Sequence, residues 1–129
     1  MNELDAFLRI VEEIREQSEL RFPPEAYLFI RKTLDFTVDR ITRKYGLAGS
    51  FHITGKEFLD GFRDFALDQF GPMTHTVLNS WNFHTCGDVG DIVFQMVEFG
   101  LMGRSDHDSF ADFDDGYDFL ETFETPWKT

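Results

Sequence analysis

Cysteine is nearly absent from this chain, Cys86 being the only one. A lone thiol excludes an intrachain disulfide and fits a reducing compartment. No apolar run approaches the roughly 20 residues that a bilayer span needs. The start, Met1-Asn2-Glu3-Leu4-Asp5, has neither the basic nor the apolar region of a secretory signal. A cytoplasmic location away from membranes is therefore expected. Also missing are a phosphate loop, a dinucleotide fingerprint and a Gly-x-Ser-x-Gly elbow. Gly87-x-x-Gly90 is too short to stand in for any of them. The sequence thus specifies no enzyme, no catalytic residue and no cofactor.

Basic residues are scarce. Twelve Lys and Arg face 24 Asp and Glu, for a net charge of −12. The excess acid grows along the chain, from −1 over residues 1–50 to −5 over 51–103 and −6 over 104–129. Duplex DNA is a dense negative rod and repels such a surface unless a basic patch overrides the field. The one basic concentration is Arg40, Arg43 and Lys44, with Arg31 and Lys32 nearby. Its place at the end of an expected helix makes it the ordinary complement of the helix dipole.

What is present is a chain of 129 residues, 42% hydrophobic, with sixteen Phe. That is the size of a single domain, 1–129, with a sizeable core. Leu4, Phe7, Leu8, Val11 and Ile14 recur at helical spacing over 2–18. Phe22-Pro23-Pro24 interrupts, and Pro24 suits the first turn of a second helix reaching Lys44. Tyr27, Ile30, Leu34, Val38, Ile41 and Tyr45 form its stripe, widened by Leu28, Phe29 and Phe36. So wide a stripe predicts contact on more than one side. These two helices form an N-terminal pair over 1–45.

Thr54-Gly-Lys-Glu57 has the spacing of a capping box, opening a helix to about Phe70. Gly71-Pro72 stops it and starts a short helix to about Trp81. Thr85-Cys-Gly-Asp88 repeats the cap signal before a helix over 86–100. Short strands follow around Leu101–Ser105 and Tyr117–Phe123, with Asp115-Gly116 as a turn. Pro126 and Trp127 leave a tail over 124–129. The fold class is mainly α. Three helices, long, short and long, then a β-hairpin, give a winged-helix-like unit over 54–123 by fold analogy.

Several segments together resemble a family: Phe22-Pro-Pro-Glu-Ala-Tyr27, Gln69-Phe-Gly-Pro-Met73, Thr76-Val-Leu-Asn-Ser-Trp81 and Gly87-Asp-Val-Gly-Asp-Ile-Val-Phe94. Gly100-Leu-Met-Gly103 and Asp112-Phe…Gly116-Tyr-Asp-Phe119 continue the match over most of 22–119. The chain resembles an uncharacterised family of small proteins described as restricted to the Verrucomicrobia and Planctomycetes. The resemblance implies no activity, ligand or functional residue. Where such sequences often read Trp-Asn-Gly or Trp-Gly, this one has Trp81-Asn82 followed by Phe83, a departure confined to a turn.

The chemistry-bearing clusters are weak. A recognition helix over 86–100 would present Asp88, Asp91, Gln95 and Glu98 to the groove, with no Lys or Arg between Arg63 and Arg104. His84-x-Cys86 with His75 upstream lacks the paired spacing of a zinc site. The stretch Asp106–Asp115 does not fit an EF-hand loop, which wants acids at positions one, three and five, Gly at six and Glu at twelve. Gly116 at six puts Ala111 at one, and Asp112 at one puts Phe123 at twelve. A looser divalent-cation site there is the remaining option. Glu57, Asp60, Asp64 and Asp68 fall on one side of the third helix. They are either a solvated face or a docking ridge for a basic protein partner. The expected function is accordingly an acidic protein–protein interaction or adaptor module, with homo-oligomerisation left open as an option. The alternatives are a winged-helix nucleic-acid-binding regulator and a small-ligand domain or enzyme of unrecognised type.

Overall fold

The computed structural model describes residues 2–46, 53–103, 110–114 and 116–127. Five α-helices order the described residues: α1 (Glu3–Gln17), α2 (Pro24–Tyr45), α3 (Gly55–Phe70), α4 (Thr74–Ser80) and α5 (Cys86–Glu98). Each begins or ends for a local reason. The Asn2 side chain accepts from the Asp5 amide at 2.8 Å and caps α1. Pro24 opens α2, and Gly46 at φ 65° closes it in the left-handed region that favours glycine. Both expected capping boxes are formed, Thr54 with Glu57 on α3 and Thr85 with Asp88 on α5. Asn82, at φ 67°, takes the left-handed position between α4 and α5. Asn tolerates that conformation better than other residues with a side chain, which accounts for the Trp-Asn turn without a following Gly.

The helices share one hydrophobic core that runs from Phe7 and Val11 on α1 to Phe119 and Phe123 near the end of the chain. Rings fill its centre. Phe62 meets Phe83 edge-on at 5.6 Å and Phe123 at 6.4 Å, and Phe22 lies 5.4 Å from Phe83. Each buried Phe contributes about 1.5–3 kcal/mol by removal from water. α2 and α3 run antiparallel and make the most extensive helix contact. A side chain on Gly61 would collide with Thr37 of α2, so the close approach of the two helices needs glycine there.

The hairpin of the winged-helix expectation does not appear among the described residues. No strand occurs among the described residues. Leu101–Gly103 form a bend after α5, and Arg104 and Ser105 lie outside the described residues. Residues 116–118 have no regular secondary structure, and from Phe119 the chain coils into a π-helical turn at Leu120–Glu124 and a 3-10 turn at Thr125–Trp127. The physical reason lies in spacing. Phe119 and Phe123 are four apart and both buried, which suits a helical turn and not a strand. Asp118 also caps that turn, accepting from the Glu121 amide at 3.0 Å. The long–short–long helix order survives; the wing does not.

Candidate interaction surfaces

α3 presents the acidic ridge anticipated from sequence, and its four carboxylates have different surroundings. Glu57 is spent in the capping box, accepting from the Thr54 amide at 2.8 Å. Asp64 is half-buried between α2 and α3. Its carboxylate accepts from Arg40 at 2.5 Å and from Arg63 Nε at 2.9 Å. Burial pushes Asp64 up, but the hydrogen bonds and charges of Arg63 and Arg40 outweigh it and hold the carboxyl below its usual range. Asp60 and Asp68 are exposed. Asp60 lies 3.4 Å from Arg63, at the edge of contact, and Asp68 accepts from Gln69 at 3.2 Å. The ridge thus divides into a structural acid at its centre and two solvent-facing acids beside it.

The acids of α5 are similarly engaged. Arg21, in the turn between α1 and α2, reaches across to Asp88 at 2.5 Å and Asp91 at 2.8 Å. Its guanidinium also stands 4.7 Å above the Phe22 ring. Asn82 donates to the Arg21 carbonyl at 2.6 Å, tying the same corner to the turn before α5. Sequence reasoning missed Arg21, because nothing in the chain places residue 21 beside residues 88 and 91. One turn further along α5, Tyr27 donates to Gln95 at 2.6 Å, so Gln95 also points inward to a partner.

Intramolecular pairing takes up most of the arginine. Arg15, Arg21, Arg31, Arg40, Arg43 and Arg63 each form an ion pair with Asp or Glu. The basic end of α2 is part of this, since Arg40 holds Asp64 and Arg43 lies 3.1 Å from Asp39.

His75, His84 and Cys86 do not come together. His75 lies 3.7 Å from Glu124, His84 is exposed, and Cys86 is buried. Burial pushes the Cys86 thiol up to about 11, and its sulfur sits 3.5 Å from the Tyr117 carbonyl. The Tyr117 hydroxyl donates to the Leu59 carbonyl at 2.7 Å, and burial pushes its own pKa up. No group of three or more His, Cys, Asp and Glu forms a metal-binding cluster among the described residues. Asp106, Asp108 and Asp115 of the cation-site expectation lie outside those residues, while Asp114 is exposed.

Aromatic side chains make a second surface feature. Phe36, Phe65, Phe29, Phe70 and Trp81 form a continuous row over α2, α3 and the end of α4. Centroids are 5.1 Å apart for Phe36–Phe65, 5.2 Å for Phe29–Phe65 and 5.5 Å for Phe29–Trp81. Phe70 closes the row at 5.4 Å from Phe29 and 5.7 Å from Trp81. Phe29 is buried, whereas the other four are half-buried and so reach solvent. The unusual width of the α2 stripe was the sequence's signal for this row. No helix among the described residues is long and apolar enough to cross a membrane. No family model, curated protein or solved structure matches the chain.

Proposed function

We propose that this chain is an acidic protein-interaction or adaptor module that binds a basic partner through the solvent-facing acids of α3. The observation that carries the reading is the pairing of the arginines. With those guanidinium groups occupied by the chain's own carboxylates, the surface offers a partner mainly unmatched acid, within a net charge of −12. Long-range charge of one sign orients a complementary partner and speeds association. Asp60 and Asp68 are the contact residues, whereas Asp64 and Glu57 hold the helix and its neighbour in place. Membership of the Verrucomicrobia and Planctomycetes family belongs to the same proposal and brings no activity with it.

The nucleic-acid alternative draws less support. The acidic first turns of α5 are bound to Arg21, and the basic end of α2 is bound to Asp39 and Asp64. Affinity capture of the tagged chain, with and without nuclease, tests the two readings together. A protein partner that survives nuclease and is lost from the Asp60→Lys, Asp68→Lys variant, with the melting curve unchanged, supports the adaptor. Recovery that depends on nucleic acid overturns it.

A further inference from the structure

The outer face of the α2–α3 hairpin combines half-buried aromatic rings with one cation and one anion of complementary placement. In the aromatic row from Phe36 to Trp81, Phe36, Phe65, Phe70 and Trp81 are half-buried, and the Arg40 guanidinium stands 5.2 Å over the Phe36 ring. Two charges of opposite sign flank the row. Lys32 on α2 lies four residues before Phe36, and Asp68 on α3 lies three after Phe65, so each neighbours a ring of the row on its own helix. Both are exposed, and neither enters an ion pair among the described residues.

The antiparallel register sets these two charges at one level. Phe29 meets Phe70, Phe36 meets Phe65, Gly61 faces Thr37 and Arg40 meets Asp64. By the same register Lys32 lies across from Asp68. A two-fold axis parallel to the helices and lying in this face would superpose α2 of one copy on α3 of the other. Such an isologous contact turns one Lys–Asp separation into two reciprocal ion pairs. It also brings the two aromatic rows together.

We propose that two copies of the chain pair through this face, with Lys32 of each opposite Asp68 of the other. A foreign partner would need an arrangement of its own to match one cation and one anion at equal height, whereas a second copy supplies it by symmetry. The dimer is weak and reversible. Sixteen residues of α3 span about 24 Å. Two helices packed about 10 Å apart then offer roughly 500 Å² per copy, below the roughly 800 Å² of a stable interface. Each copy also carries −12, which opposes approach. This assignment goes beyond the adaptor reading, since it needs only the purified chain.

Sedimentation equilibrium of the full chain from micromolar to millimolar concentration tests it. A monomer–dimer equilibrium is expected. Lys32→Asp and Asp68→Lys should each weaken it about tenfold, and the two together should restore it. Both positions are exposed, so the variants keep the fold. Monomer at every concentration overturns the proposal, as does a dimer indifferent to the single changes or not recovered in the double. Asp60→Lys lies outside the paired charges and reports on the adaptor surface separately.

Discussion

Asp64 is held by two arginines that come from different helices, so its carboxylate works as a clamp between α2 and α3. Replacing it by Asn keeps the shape and removes the charge. The site is more than a third open to solvent, and screening limits the loss to about 0.5–1 kcal/mol. Chemical denaturation of the Asp64→Asn variant measures it. The native carboxyl titrates below its unfolded value, so the clamp's contribution is complete above about pH 4. It fades as the pH falls through the lower folded value. Wild-type protein should therefore lose stability on acidification more steeply than the variant. Cys86 has the opposite sign of effect. Its folded thiol ionises near 11, against about 8.5 in the unfolded chain. Stability from the neutral thiol is complete below about pH 8.5 and declines as pH rises towards 11. A thiol reagent at pH 8 should label the native protein far more slowly than the denatured one. Equal rates would show that Cys86 is not enclosed under Gly116 and Tyr117.

At the scale of elements, the helices were legible because their signals are local. Asn2, Thr54 and Thr85 begin helices, and Gly46 and Gly71 end them, through contacts within a few residues. The wing was misread for the same local reason. Tyr117 and Phe119 alternate like a strand, yet Asp118 and Glu121 form a helix cap, and the four-residue step to Phe123 decides the outcome. The ridge on α3 was placed correctly as a helix face. Which of its acids face solvent was not legible, since the arginines that hold Asp64 include Arg40, 24 positions away in the chain. The contact of the last elements with the helices also rests on small residues. A methyl on Gly90 would lie 2.7 Å from Phe113 Cβ, and one on Gly116 would meet Cys86. Gly90→Ala should cost about 1–3 kcal/mol by forcing Phe113 outward, despite alanine's better helix propensity. An unchanged or raised midpoint would mean that Phe113 is not seated between α3 and α5.

For the whole molecule, two electrostatic effects compete. The ion pairs favour the fold and are each worth about 0–1 kcal/mol at exposed positions. The net charge of −12 opposes it, because folding concentrates like charges that the unfolded chain spreads apart. Salt weakens both, but not equally. Oppositely charged groups in contact at 2.5–3.1 Å lie well inside the Debye length of about 10 Å at 0.1 M. Repulsion among acids without an ion pair among the described residues, such as Asp35, Asp68, Glu98 and Asp114, acts over longer distances, and salt screens it first. The melting temperature should therefore rise as sodium chloride is raised from low ionic strength to about 0.15 M. A fall over that range would mean that the pairs outweigh the repulsion, and that the acid on the surface is compensated within the fold. In that case the long-range field invoked to attract a basic partner would lose its physical basis.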